Sequence, residues 1–374
     1  MAGASGSGGS GSAAGIAGAS ATGSGGSGAI AGATATGGTA GTDAGGSGGA
    51  AGTGGADGAR GGTSGTAGSG GTGGSGGTGG SGTGGSAAWN PSWAAWPMPN
   101  GPADVAAGAP NRLAYTVNGD GTVTDNVTGL MWQQMATIPV KSYLWSEAVA
   151  YCPTLTLGGL SDWRLPTEIE GISLFDDGIV TPGPVIDTTA FPGAPSSSFW
   201  SSTGLGRAPV SNAWYFEFYG GYIHNGSATT YYYGVRCVRG PSSPSGSPGH
   251  YTIDEGHGTV RDNGTQLTWQ RGVFTGMTWA DAKAICAGSL VSSSFGGTGW
   301  RLPTKKELLT LVDFTIPSPG PTIDKTAFSA TEAHYFWTST PLAGSPTNAW
   351  RVFFGTGEAK FDPMSTTGDV RCVR

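Results

Sequence analysis

Residues 163–167 read Trp-Arg-Leu-Pro-Thr, and residues 300–304 repeat the same five residues. Outward from this pentapeptide, matching segments follow in the same order, always 134 to 137 residues apart. The matched tryptophans are Trp132 with Trp269, Trp145 with Trp279, Trp163 with Trp300, Trp200 with Trp337, and Trp214 with Trp350. The chain therefore contains two copies of one unit of about 125–130 residues, an ordinary size for a single domain.

The composition of the 374-residue chain changes abruptly before these copies. Residues 1–86 consist almost wholly of Gly, Ala, Ser and Thr, which cannot bury enough apolar surface to offset the entropy of ordering them. We predict a disordered tether there, a connector containing Trp and Pro at 87–110, copy 1 at 111–239, a linker at 240–249 and copy 2 at 250–374. Parts of the tether have glycine at every third residue, as collagen does, but lack the imino acids of collagen.

The four cysteines occupy matched places, two in each copy. Cys152 and Cys237 are 85 residues apart, and Cys286 and Cys372 are 86 residues apart. We predict one disulfide within each copy, and the alternative is four reduced, buried thiols. Since no Cys-x-x-Cys motif or Cys/His cluster is present, no metal site is expected.

Disulfides form in oxidising compartments, so the cysteines predict an extracellular or cell-surface protein. No secretory signal or lipid-anchor sequence is visible after Met1, and one hypothesis is that the true start lies upstream. The formal net charge of −6 disfavours nucleic acid as a partner. No apolar run is long enough for a transmembrane segment.

The sequence of each copy predicts a mixed α+β fold with small antiparallel sheets and two short helices. A hairpin spans residues 122–134, and a helix ends at the first cysteine of each copy. A second helix follows the pentapeptide, where Thr167 and Glu170, like Thr304 and Glu307, have the spacing of a capping box. Short segments rich in aromatic and β-branched residues follow and predict strands.

The motifs of copy 1, in order, are TDNxTGLMWQ, WxEAxxxC, DWRLPTxxE, FWSST, AWYxxF and YxVRCVR. They resemble the DUF1566 domain, also called the Lcl C-terminal domain, and the resemblance covers both copies. It implies a C-type-lectin-like fold, related to that of the formylglycine-generating enzyme. It also implies bacterial surface adhesins, one of which binds sulfated glycans and trimerises through a collagen stalk. Copy 2 departs at Gln266-Leu267-Thr268, where the family usually has Gly-Leu-Met.

The repeated pentapeptide and its helix are open to two interpretations. We favour a scaffold in which Trp163 and Trp300 fill the core and the following arginines pair with a buried carboxylate or carbonyl. A ligand groove is the alternative. The capping position explains Glu170 and Glu307 without a role as general acids. Residues 118–121 resemble the start of a calcium loop, but no glutamate follows at position twelve, and a plain hairpin turn is favoured.

Tyrosines cluster near the end of copy 1, at Tyr219, Tyr222, Tyr231, Tyr232 and Tyr233. Aromatic side chains stack on sugars and anchor interfaces. We therefore take Tyr219, Tyr222, Tyr231 and Tyr232 as candidate ligand-binding residues, with core packing as the alternative. Trp89, Trp93 and Trp96 lie outside the repeat, where they either cap the first domain or contact a partner.

No HExxH, GxSxG or Cys-His arrangement is present, so neither catalysis nor a cofactor is predicted. We expect a non-enzymatic surface adhesin or binding module that recognises a glycan or a surface protein. The alternatives are a structural surface protein and an enzyme related to the formylglycine-generating-enzyme fold. Divergence between the copies indicates unlike ligands, or one copy kept for structure. The oligomeric state is left open.

Overall fold

The computed structural model describes residues 93–138, 141–206, 209–240 and 250–374. The predicted tether, Trp89 and residues 241–249 of the predicted linker lie outside the described residues. Both copies have mixed α and β structure with small sheets and short helices, which confirms the predicted α+β class.

Copy 1 follows the short helix α1 (Pro102–Ala106). Its strands are β1 (Tyr115–Val117), β2 (Thr122–Asp125), β3 (Met131–Gln133), β4 (Ser198–Leu205), β5 (Asn212–Glu217), β6 (Tyr222–Ser227) and β7 (Val238–Arg239). Its helices are α2 (Trp145–Tyr151) and α3 (Glu168–Ser173). The strands form two antiparallel sheets, in the orders β1-β2-β3-β7 and β4-β5-β6.

Copy 2 repeats this plan. Its strands are β8 (Tyr251–Asp254), β9 (Thr259–Asp262), β10 (Thr268–Gln270), β11 (Phe274–Met277), β12 (Tyr335–Pro341), β13 (Asn348–Phe353), β14 (Ala359–Pro363) and β15 (Gly368–Val370). Its helices are α4 (Trp279–Ala287), α5 (Ser289–Phe295) and α6 (Lys305–Leu309). The sheets have the orders β10-β9-β8 and β11-β15-β12-β13-β14, and β12 with β15 is a parallel pair.

Helix α5 was not predicted from the sequence, which indicated two helices in each copy. In copy 1, Pro153 follows the cysteine at the end of α2, and the chain makes only a 3-10 turn at Cys152–Thr154. A proline lacks the N–H that a continuing helix needs. Copy 2 has no proline at this place, and Gly288 starts a new helix instead.

Both predicted disulfides are present. Cys152 is bonded to Cys237, with 5.6 Å between the Cα atoms, and Cys286 is bonded to Cys372, with 5.4 Å. Each bond ties the end of the first long helix of its copy to the last segment of that copy.

The repeated pentapeptide forms scaffold. Trp163 and Trp300 are buried. The guanidinium of Arg164 donates two hydrogen bonds of 2.6 Å to the Glu170 carboxylate, and Arg301 donates two of 2.7 Å to Glu307. Both carboxylates also accept from the backbone N–H of the threonine that caps their helix. These hydrogen bonds give both glutamates a structural role, as the scaffold interpretation expects.

The two copies pack against each other around one shared core. A single cluster of buried apolar residues contains members from both copies, and α3 contacts α6 across the boundary. Trp214 of copy 1 donates a 2.7 Å hydrogen bond from Nε1 to the carbonyl of Phe314 in copy 2. The Lys306 ammonium of copy 2 donates to the carbonyl of Phe175 at 2.6 Å.

Lys305 of copy 2 is the centre of this contact. Its ammonium pairs with the carboxylate of Asp177 in copy 1, and the side chains are 0% and 1% exposed. It also donates a 2.8 Å hydrogen bond to the carbonyl of Gly221 and lies 4.0 Å from the centre of the Trp350 ring. The charge is therefore removed from water and satisfied entirely by protein groups.

Residues 93–110, here called the strap, precede copy 1 but pack on copy 2. Trp93 stacks on His250, with 5.3 Å between ring centroids. The Thr304 hydroxyl donates a 2.8 Å hydrogen bond to Asn100, and the Thr340 hydroxyl donates one of 2.8 Å to Asp104. Trp93 and Trp96 are thus buried in the chain itself, and the cap that Trp93 forms covers the second domain, not the first.

The position of Lys305 is occupied in copy 1 by Glu168, which is also fully buried. No ion pair to Glu168 is present among the described residues, unlike at Lys305. Burial raises the pKa of Glu168 to about 8, against a smaller opposing effect of the Ser201 hydroxyl. The same place in the two copies therefore holds a paired cation and an unpaired acid.

We expect Lys305→Ala to lower the free energy of unfolding by about 3–5 kcal/mol, because it leaves the buried Asp177 carboxylate without the ammonium that pairs with it. Urea unfolding of the purified chain measures this change. The double variant Lys305→Met/Asp177→Asn, which removes both charges at similar volume, should recover most of the loss. A loss below about 1 kcal/mol for Lys305→Ala would contradict the role of the pair.

We expect Glu168→Gln to remove a pH dependence of stability. In the folded chain Glu168 ionises near pH 8, against an ordinary pKa of 4.5 when unfolded. As the pH rises, the unfolded chain therefore loses this proton at a lower pH than the folded chain does. The free energy of unfolding consequently falls as the pH rises from 4.5 to 8. Urea unfolding at several pH values should show the variant more stable than the parent at pH 8 and similar to it at pH 4.

The exposed Glu332 provides the control for this experiment. Glu332→Gln should follow the parent at every pH. If Glu168→Gln also follows the parent from pH 4 to pH 8, the burial of a protonated Glu168 is refuted.

Candidate ligand-binding surface

The predicted tyrosines lie on and after the hairpin of β5 and β6 in copy 1. Tyr219 is in the turn of this hairpin and is 50% exposed. Tyr231 and Tyr232 follow the far end of β6 and are 48% and 58% exposed. Tyr222, at the start of β6, is half-buried. The four residues therefore occupy three different places on the surface.

Tyr231 belongs to a cluster of rings that we call the tyrosine platform: Trp200, Tyr215, Tyr231 and Tyr233, with Tyr232 adjacent in sequence. The ring centroids of Tyr215 and Tyr233 are 4.4 Å apart, those of Tyr231 and Tyr233 are 5.9 Å apart, and those of Trp200 and Tyr233 are 4.7 Å apart. Burial thus decreases from Trp200, which is fully covered, to the exposed Tyr231.

The backbone beneath the platform fixes it in place. The indole N–H of Trp200 donates a 2.8 Å hydrogen bond to the carbonyl of Tyr143. At Gly226 in β6, an added Cβ would stand 2.6 Å from the ring of Tyr231, so only glycine leaves room for the ring to lie on the strand. Burial raises the pKa of Tyr215 and of Tyr233.

Tyr222 is placed away from this platform. Its ring packs edge-on against Trp350 of copy 2 at 5.3 Å and stacks on His224 at 5.8 Å. It lies where the two copies meet, and its contacts are those of packing. This placement favours the packing alternative that the sequence left open, while ligand contact at Tyr222 stays a prediction.

Sequence reasoning missed Tyr215 as a member of the platform. This residue follows Trp214 in the AWY motif, and neighbouring residues of a strand face opposite sides. Trp214 points to the core between the copies, so Tyr215 points to the other face, where β4 places Trp200 opposite it. The alternation in β5 was the signal that could have identified it.

The loop that resembles a calcium site is bonded as a turn. The Asp120 carboxylate accepts hydrogen bonds from the N–H of Thr122 at 3.0 Å and from its hydroxyl at 2.6 Å. Within the described ranges, no group of three or more His, Cys, Asp or Glu side chains is arranged to hold a metal ion. In the same part of the chain, no helix combines the length and apolar character needed to cross a membrane.

Chemically, the platform offers flat apolar rings with polar hydroxyl edges. Such a surface can cover the apolar face of a ligand while its hydroxyls donate and accept hydrogen bonds. Large tyrosines that stay exposed on a rigid support are typical of contact surfaces, since little conformational entropy is lost on binding.

Comparison with known proteins agrees with the repeat. The family model described as the Lcl C-terminal domain matches residues 121–239 and 258–374, once in each copy. These two segments make up more than half of the chain. No curated protein matches the sequence.

Proposed function

We propose that this chain, which belongs to the Lcl C-terminal domain family, is a non-enzymatic surface adhesin that binds a glycan through the tyrosine platform of copy 1. The two disulfides favour an extracellular or cell-surface location. The C-type-lectin-like fold implied by the sequence resemblance stays a prediction.

The observation that supports this proposal best is the exposure of Tyr231 and Tyr232 beside rings that are already ordered. About half of the surface of each of these side chains is exposed, and contact of apolar rings with water costs free energy. Exposed aromatic residues grouped on one surface therefore favour a ligand that covers them. Because Tyr231 packs on Tyr233, and Tyr233 packs on the buried Trp200, a ligand meets a preformed surface.

A glycan is favoured over a protein ligand by the shape and chemistry of the platform. Tyrosine rings stack on the C–H face of a sugar, and the phenol groups reach its hydroxyls. Glu170 and Glu307 occupy equivalent positions in the two copies. Both carboxylates are buried, and each is bonded to an arginine and to a backbone N–H. They are thus unsuited to act as the acid of a glycosidase, which favours binding over cleavage.

The test is a glycan array probed with the purified chain. We expect binding that falls at least about tenfold in Tyr231→Ala/Tyr232→Ala, a loss of about 1.4 kcal/mol or more, because ring contacts are removed. Tyr219→Ala is the matched control, since this tyrosine is equally exposed but lies in the hairpin turn. Binding by this variant should equal that of the parent when the platform alone forms the site, whereas weaker binding would support the predicted ligand contact at Tyr219.

Three results would contradict the proposal. Equal binding by the parent and the double variant would remove the platform from the site. Binding to surface proteins with none to any glycan would favour the protein-ligand alternative, and binding to neither would favour a structural surface protein.

A further inference from the structure

Copy 2 has a cleft of about 300 Å³ on the face of its larger sheet. It lies among β11, β12, β13 and β15, and its walls include His334, Tyr335, Arg351, Phe353 and Asp369. None of these residues belongs to the tyrosine platform or to the contact between the copies described above. The volume is at the lower end of the range for small-molecule sites, roughly 300–1,000 Å³.

Strand pairing shows that this cleft and the tyrosine platform occupy the same place in the two copies. Trp200 is opposite Tyr215 in copy 1, and Trp337 is opposite Arg351 in copy 2. The backbone partner of Phe199 is Gly234, and that of Phe336 is Asp369. Arg351 thus replaces Tyr215, and Gly368 replaces the ring of Tyr233.

These replacements open the cleft and change its chemistry. Where copy 1 has the ring of Tyr233, copy 2 has the bare backbone of Gly368, which lines the cleft. Where copy 1 has Gly226 covered by Tyr231, copy 2 has Asp362, which pairs with Arg351 at 2.8 Å. Aromatic rings in one copy are therefore replaced by paired charges beside a cavity in the other.

The polar groups of the cleft are held in fixed positions. The Arg351 guanidinium lies between Tyr335 and Trp337, 4.8 Å from each ring centroid, and also donates to the carbonyl of Thr367 at 3.2 Å. Nδ1 of His334 is 3.0 Å from the Asp369 carboxylate. The His334 side chain is 60% exposed and Asp369 is 10% exposed, so the histidine reaches solvent from a buried support.

The charged groups in and beside the cleft are paired with one another. Arg351, in the wall, shares the carboxylate of Asp362 with Lys360, at 2.8 Å and 3.2 Å, and His334 is next to Asp369. The lining thus includes a cation, Arg351, and a carboxylate, Asp369, so it favours neither an anionic nor a cationic ligand. A neutral ligand with adjacent hydroxyls suits this arrangement, since a hydroxyl both donates to a carboxylate and accepts from an arginine or histidine.

The apolar part of the cleft lining consists of Tyr335 and Phe353. Their rings stack on each other with 4.4 Å between centroids and an angle of 23° between their planes, which holds both side chains in place. Aromatic groups in the lining can cover the C–H groups of a sugar ring, while its hydroxyls bond to the paired charges. We infer that the cleft of copy 2 is a separate binding site for a neutral sugar unit, independent of the tyrosine platform of copy 1.

The test is titration of the whole chain with methyl glycosides of glucose, galactose, mannose and N-acetylglucosamine, followed by saturation-transfer NMR and calorimetry. Glucuronic acid and glucosamine serve as charged probes of similar size. We expect at least one neutral probe to bind, with neither charged probe binding as tightly.

Two cleft variants locate the site. Ala333→Phe, a change at a half-exposed wall residue, fills the cleft and should weaken binding at least about tenfold. His334→Ala, at an exposed side chain, should weaken it about three- to tenfold through a lost hydrogen bond. Tyr231→Ala/Tyr232→Ala should bind the neutral probe like the parent, and unchanged melting temperatures establish that all variants are folded.

Three results would overturn the inference. They are the absence of saturable binding of any neutral probe, tighter binding of a charged probe, and neutral-probe binding that both cleft variants retain. Loss of binding in Tyr231→Ala/Tyr232→Ala with retention in the cleft variants would assign the probe to copy 1 instead. That outcome supports the proposed function while it rejects the second site.

Discussion

The buried pair of Lys305 and Asp177 is the contact on which the arrangement of the two copies depends. An ammonium and a carboxylate that are almost fully removed from water are stable only while they face each other, and these two come from different copies. Trp350 and the carbonyl of Gly221 complete the surroundings of the ammonium. Moving the copies apart would leave both charges without partners in an apolar core, so the pair fixes one relative position.

The strap strengthens this arrangement by a separate route. It is covalently attached to copy 1 but places Trp93 on His250 and Asn100 on Thr304, both in copy 2. Because the strap precedes copy 1 and packs on copy 2, the two copies are expected to fold together. The tandem therefore resembles one compact unit with an internal repeat more than two independent domains.

A shared core leaves the outer faces free to differ. Trp200 and Trp337 occupy matched places in their copies, and each indole donates to an equivalent backbone carbonyl, that of Tyr143 or Met277. Above this common base, copy 1 has tyrosine rings and copy 2 has paired charges around a cavity. Duplication of the scaffold with divergence of one face is consistent with unlike ligands for the two copies.

The repeat, both disulfides and the role of the pentapeptide could be predicted because each depends on residue types that recur in both copies. The contact between the copies could not, since the matched positions hold unlike residues, Glu168 and Lys305, and Asp177 lies 128 residues from its partner. Tyr222 looked like its exposed neighbours because only the packing of Trp350 covers it. The cleft residues are similarly separate in sequence and meet only when β12, β13 and β15 align.

Calorimetric unfolding of the chain tests most directly whether the two copies form one cooperative body. The shared core and the crossing strap predict a single transition in which the calorimetric and van't Hoff enthalpies agree. Two resolved transitions would show that the copies unfold independently and would contradict this account. A single transition with a van't Hoff enthalpy near half of the calorimetric enthalpy would do the same.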